Sequence, residues 1–251
     1  MSVDCVLIHP NSRAENYGRL SDLAAVETPV WAAMLATYVR GKGHSVAIID
    51  AEAEQLTPEA VAQRVFALDP VLACVVVYGL NPTASTQVMP AAGATIRALR
   101  DLLYAKERPK TMLLGGHVAA LPERTLAEES ADYVCTGEGP VALHETLAAL
   151  KSGKTPATSG ARGIAFSHGL GACRTLDAPN VEDLDGEIPM PAYDLLPMGK
   201  YRAHNWHALG GIDRGGYASL YTTLGCPFHC SFCPIQAPFK SGERALGMAP
   251  R

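Results

Sequence analysis

The sequence lacks an excess of basic charge. Its 21 Lys and Arg face 25 Asp and Glu, for a formal net charge of −4. With no positive field to neutralise phosphates, a nucleic-acid partner has no electrostatic support. Long apolar runs are also missing. The longest, VLACVVVYGL (71–80), is half of what a membrane helix requires. The N-terminus, MSVDCVLIHP, has no basic region before its apolar stretch, and Asp4 interrupts that stretch, so it does not read as a signal peptide. A cytoplasmic location is therefore expected. No internal repeat, low-complexity tract or GxGxxG after the first apolar run is present, which disfavours a dinucleotide site of the usual kind.

What is present is an alternation of strand-like and helix-like segments. Strands are expected over 4–10, 44–50, 71–80, 110–116 and 131–139. Helices are expected over 28–43, 57–69, 84–105, 121–130 and 140–153. Thr57-Pro58-Glu59 has the order of a capped helix start, and Gly41 and Gly43 stop the first helix. Five β/α units predict an α/β fold, a doubly wound parallel five-stranded sheet spanning 1–153. Such sheets bind ligands at the carboxyl ends of their strands. The loops there are Pro10–Ser12, Asn81–Thr83, Gly115–His117 and Gly137–Gly139. Glycine at these points either lets a ligand approach the backbone or simply makes the turn.

Residues 154–215 read as a small hairpin (163–176) followed by a linker rich in proline and acid (179–201). Residues 216–251 open with a strand-like run, 217–226, that leads into GCPFHCSFC.

Of seven cysteines, Cys5, Cys74 and Cys135 lie in apolar runs and read as core, and Cys173 is unassigned. Cys226, Cys230 and Cys233 cluster, spaced C-x3-C-x2-C. In a reducing cytosol such a cluster reads as metal-binding. Three thiolates can hold three corners of a cubane iron–sulfur cluster and leave one iron open. Structural zinc wants a fourth ligand, for which His229, His204 and His207 are candidates. Unliganded thiols are the third reading.

GCPFHCSFC, preceded by a strand-like run, resembles the signature loop of the radical S-adenosylmethionine (radical SAM) superfamily, with Phe232 at its aromatic position. LLGGHVAALPE (113–123), ADYVCTGEGP (131–140) and PMPAYDLLPMGKY (189–201) resemble the cobalamin-binding domain, and the linker after it, that precede the barrel in many members. The resemblance implies a flavodoxin-like or Rossmann-like cobalamin domain followed by the start of a radical SAM β/α barrel. It implies a 4Fe-4S cluster on Cys226, Cys230 and Cys233, with S-adenosylmethionine on the open iron and its adenine near Phe232. Gly115, Gly116, His117, Gly137, Glu138 and Gly139 would cradle the nucleotide tail of cobalamin, with Asn81 and Ser85 facing the same cavity. The D-x-H-x-x-G signature is absent, so cobalamin is expected without a protein histidine ligand.

The implied reaction is methyl transfer to an unactivated carbon of a small-molecule substrate, by way of methylcobalamin and a 5′-deoxyadenosyl radical. An electron donor such as flavodoxin or ferredoxin is implied with it. The alternatives are another radical reaction, such as cyclisation or rearrangement, and a non-catalytic cobalamin- or zinc-binding module. Eighteen residues follow Cys233. A full barrel needs on the order of 150 more, so the chain is expected to hold the first barrel strand and the cluster loop only. No catalytic side chain is assigned.

Overall fold

The computed structural model describes residues 2–78, 85–102, 109–169, 171–204, 216–226, 228 and 230–239. The first half alternates as its apolar pattern requires. Strand β1 (Cys5–His9) is followed by the short helix α1 (Arg13–Tyr17), a 3-10 turn at Gly18–Leu20, and helix α2 (Val30–Gly41). Then come β2 (Val46–Asp50), α3 (Pro58–Leu68), β3 (Leu72–Val77) and α4 (Ser85–Leu102). Strand β4 (Lys110–Gly115) runs straight into α5 (Gly116–Ala120) and α6 (Pro122–Glu128). Strand β5 (Tyr133–Cys135) and helix α7 (Pro140–Lys151) complete the repeat, and α8 (Pro156–Ser159) is a single turn. Helix α3 starts as expected: the Thr57 side chain accepts from the Ala60 N–H, and Pro58 occupies the first turn.

The parallel strands lie in the order β2-β1-β3-β4-β5. All six β3 residues are buried, as befits a central strand covered on both faces. One apolar layer packs α2 and α7 against Cys5, Leu7, Cys74 and Leu114; the opposite layer packs α3 and α4 against Val6, Ile8, Val75 and Leu113.

The sheet is larger than five strands. The hairpin forms β6 (Ile164–His168) and β7 (Gly171–Arg174), and β6 pairs antiparallel with β5 (Val134↔Ala165, Cys135↔Ile164). Its apolar half supplies the reason. Ile164 and Ala165 are fully buried and close the edge that β5 would otherwise leave open.

The proline-rich segment is a docked strap, which carries helix α9 (Leu184–Glu187). Ala192 N–H donates to the Ala33 carbonyl, and Thr37 Oγ1 donates to Met190 O at 2.6 Å. Arg40–Asp194 and Lys42–Glu187 tie it along α2. Val26 and Arg202 then pair in an isolated antiparallel bridge. Residues 217–226, read as a strand, run without a ladder partner among the described residues. They are anchored instead by side chains: Ser219 N–H donates to Thr28 Oγ1 at 2.9 Å, and Tyr193 Oη donates to Ser219 O at 2.6 Å. Helix α10 (Gln236–Phe239) ends the described chain. Among the described residues no helix is long and apolar enough to cross a membrane.

Candidate cobalamin site and cysteine loop

The loops at the carboxyl ends of β4 and β5 are shaped by glycine. A Cβ on Gly115 would lie 2.1 Å from the Val77 carbonyl oxygen, so only glycine lets the end of β4 meet the end of β3. Gly139 has φ +122°, and a Cβ there would lie 2.8 Å from Leu114. These two contacts lock both loops onto the sheet. Gly116 then stands beside the buried Ser85, whose Oγ is 3.1 Å from where a Cβ would be. His117 Nδ1 lies 3.2 Å from Thr86 Oγ1, and burial, with Arg124 adding to it, holds its imidazole below the usual histidine pKa. Ser85, Gly115, Gly116 and His117 are thus brought together.

Gly137 is the more open of the second loop's glycines, its nearest neighbour being Pro238 O at 4.0 Å from an added Cβ. Glu138 points inward. It is 3% exposed and its carboxylate accepts from the Val181 N–H at 2.7 Å, which pins the strap to the loop. Asn81, His207 and His229 lie outside the described residues. His204 is half-buried in the strap's exit.

Two aromatic residues, Trp31 and Tyr78, line the same end of the sheet. The rings of Trp31 and Tyr78 lie 5.0 Å apart. Both are buried, yet Trp31 Nε1 and Tyr78 Oη have no hydrogen-bond partner among the described residues. A cavity of about 150 Å³ opens beside them where β1 and β3 diverge, bounded by His9, Ser12, Glu27 and Glu52. That divergence is the switch point at which open α/β sheets bind ligands. Burial raises the Glu27 carboxyl above the usual range, hydrogen bonds from Ser219 and Tyr217 oppose this, and Glu52 adds to the rise. Trp31 sits at helical core spacing and Tyr78 ends an apolar strand, so neither carried a sequence signal distinguishing it from core.

All three clustered cysteines are free thiols. Cys230 is exposed, and Cys226 and Cys233 are partly buried. The Cys233 N–H donates to Cys230 O at 3.0 Å, which makes a tight turn between them. Phe228 and Phe232 stand out into solvent at 68% and 75% exposure. Among the described residues no three His, Cys, Asp or Glu side chains converge to hold a metal ion. The donor set itself, three thiols on one loop, suits an iron–sulfur cluster, and the absence of a side chain at Gly116 and Gly137 suits close approach of a ligand to the backbone at the strand ends.

After Cys233 the chain turns back over those strand ends. Pro234 Cγ lies 3.8 Å from a Cβ placed on Gly116. The Phe239 ring meets Trp31 edge-on at 5.9 Å, and Asn180 Nδ2 donates to Phe239 O at 3.2 Å.

The family profile described as B12 binding domain matches residues 19–147. Among curated proteins, the chain is 32% identical over 220 residues to an uncharacterized methyltransferase of Pyrococcus horikoshii, covering 87% of this chain and 42% of that protein. It is 28% identical over 242 residues to the anaerobic magnesium-protoporphyrin IX monomethyl ester cyclase of Rubrivivax gelatinosus, covering 91% of this chain and 38% of the cyclase. The chain therefore spans less than half the length of these relatives. In fold it is similar to the radical S-adenosylmethionine methyltransferase TsrM of Kitasatospora setae, solved with cobalamin and a [4Fe-4S] cluster bound. The TM-score is 0.63 at 19% identity, over 95% of this chain and 42% of TsrM. The cobalamin-dependent S-adenosylmethionine radical enzyme OxsB, solved with aqua-cobalamin and S-adenosylmethionine, matches with a TM-score of 0.58 at 15% identity, over 79% of this chain and 25% of OxsB. The glycine-shaped strand ends, the 2-1-3-4-5 sheet and the profile match agree: the chain belongs to the B12-binding domain family.

Proposed function

We propose that this chain is the cobalamin-binding and cluster-loop portion of a radical S-adenosylmethionine methyltransferase acting on an unactivated carbon. One observation carries the reading: the cysteine loop is held against the glycine loops of a B12-binding domain, with Pro234 beside Gly116. When bound, the cluster supplies an electron to S-adenosylmethionine and cobalamin carries a methyl group. The chain's own residues place these groups. Gly116 and Gly137 put no side chain at the strand ends, Ser85 and His117 offer polar contacts there, and Gly115 and Gly139 hold the loops rigid. Cys226, Cys230 and Cys233 are the cluster ligands in this reading, and Phe232 is the adenine-facing ring. An electron donor such as flavodoxin or ferredoxin completes the system.

Similarity to the Rubrivivax cyclase favours a second reading, ring closure by the same cofactors. A non-catalytic cobalamin or zinc module is the rival from another class.

Anaerobic titration of the cluster-free chain with hydroxocobalamin, followed by visible absorbance and gel filtration, tests the cobalamin half. Saturable one-to-one binding is expected; a folded chain that binds none removes methyl transfer. After reconstitution, iron with acid-labile sulfide supports the enzyme, whereas stoichiometric zinc supports the module.

A further inference from the structure

The segment after the last clustered cysteine is placed oddly for a chain that must accept a large cofactor. Pro234 sits at Gly116, the Pro238 carbonyl faces Gly137, and Phe239 packs on Trp31. Pro238 is buried, and Ile235 and Phe239 are 7% and 3% exposed, inside the same apolar cluster as Trp31 and Tyr78. The opening left at the β1/β3 divergence, about 150 Å³, falls below the roughly 300–1,000 Å³ of ordinary small-molecule pockets. Cobalamin is larger than most ligands such pockets take.

We propose that Pro234–Phe239 is a plug that covers the cobalamin site and is displaced when cobalamin binds, so that loading rearranges the cysteine loop. The inference rests on the cobalamin reading above. Three features support it. First, the segment caps both glycine loops and the aromatic pair at once, so it occupies the ground the cofactor needs. Second, the covered state is imperfect. Among the described residues Trp31 Nε1 and Tyr78 Oη are buried without partners, a disfavoured condition that a ligand rich in carbonyl groups relieves. Third, no sheet ladder holds the segment among the described residues: it is a four-residue helix kept in place by its buried Ile235, Pro238 and Phe239, by the Asn180–Phe239 hydrogen bond and by Gln236 Nε2 donating to the Phe228 carbonyl. Cys233 directly precedes the plug and is joined to Cys230 by a backbone hydrogen bond, so displacement of the plug moves two of the three thiols.

A ligand that must first open a closed state binds with its intrinsic affinity reduced by the open fraction. Weakening the plug therefore tightens binding. The test uses the 251-residue chain with cyanocobalamin, which does not ligate thiols readily, and compares wild type, Phe239→Ala and Asn180→Ala by equilibrium dialysis. Phe239→Ala is expected to bind about ten-fold more tightly. Asn180→Ala, which removes one hydrogen bond and leaves the core intact, is expected to bind about three-fold more tightly. In wild type, cyanocobalamin is expected to raise the rate of iodoacetamide labelling at Cys233, read by peptide mapping. Equal affinities in all three proteins, or weaker binding by Asn180→Ala, would overturn the plug while leaving cobalamin binding intact. Unchanged labelling of Cys233 would overturn its link to the cysteine loop. No binding by any of the three folded proteins removes the cobalamin reading and the plug with it.

Discussion

The Tyr201 hydroxyl donates to Asp50 Oδ2 at 2.7 Å, and the two residues are 2% and 0% exposed. Asp50 ends β2, at the same pole as the candidate site, and its other oxygen accepts from the Ala53 N–H at 3.0 Å. Tyr201 ends the strap, 151 residues later in the chain. This hydrogen bond, with the neighbouring Val26–Arg202 bridge, ties the end of the strap to the carboxyl edge of the sheet before the chain continues toward the cysteines. Tyr201→Phe keeps the ring and leaves a buried carboxylate oxygen without its donor. It is expected to destabilise the chain by about 1–3 kcal/mol, measured as the shift in urea midpoint. A midpoint equal to wild type would mean the bond does not hold the strap.

Gly115 and Gly43 separate close packing from backbone strain. Gly43 has φ +84° with open space around it, whereas Gly115 faces the Val77 carbonyl. Gly43→Ala is expected to cost about 1–2 kcal/mol, the strain of a left-handed residue. Gly115→Ala forces backbone apart and is expected to cost about 3 kcal/mol or more. Thermal unfolding of both variants checks the order; equal losses would place the Gly115 requirement in its backbone angle rather than in the close approach.

The cysteine loop has no ladder among the described residues; Cys230 is exposed, while Cys226 and Cys233 are partly buried against the main apolar cluster. Changing Cys226, Cys230 and Cys233 together to serine is expected to abolish iron and acid-labile sulfide after reconstitution. The accompanying loss of stability should stay at about 1 kcal/mol, because Cys230 is exposed and only Cys226 and Cys233 touch the core. Iron retained by the triple variant would place the cluster elsewhere.

Stability should fall with mild acid through a histidine pair at the opposite pole. His44 Nε2 and His144 Nδ1 lie 3.0 Å apart, with His44 8% exposed. Burial lowers both pKa values. For His44 the neighbouring His144 and Lys151 lower it further and Asp4 opposes; for His144, Lys42 lowers it and Glu145 opposes. A histidine whose folded pKa lies below its unfolded value binds its proton first in the unfolded chain. The native state therefore loses stability as pH falls below about 6.5, down to the folded pKa. His144→Gln should flatten the thermal midpoint between about pH 7 and 5.5 relative to wild type. An unchanged slope would assign the acid sensitivity to other groups.

The alternation of apolar runs with helical patterns was enough to determine the parallel core. The run 71–80 was apolar at both parities, and β3 is indeed buried on both faces. Thr57-Pro58 announced its helix. The spacing of Cys226, Cys230 and Cys233 carries the expectation of metal chemistry without any fold. These features are local, and period, cap and ligand spacing are written within a few residues. The remaining features depend on contacts between distant parts of the chain. Ile164 and Ala165 do not state that they will extend β5; an open strand edge decides it. The acids and prolines of 179–201 read as a linker because the pattern omits their partners on α2, such as Arg40 for Asp194. Helix α5 replaced an expected glycine turn because Gly115 can approach Val77 and Gly116 can pack beside Ser85. Trp31 and Phe239 are 208 positions apart, and no periodicity links them; only packing at the sheet's carboxyl end brings their rings to 5.9 Å. Sequence patterning therefore determined the parallel α/β core and the family, while tertiary packing decided what lies over the carboxyl ends of the strands, because burial is set by which surfaces meet in space rather than by order along the chain.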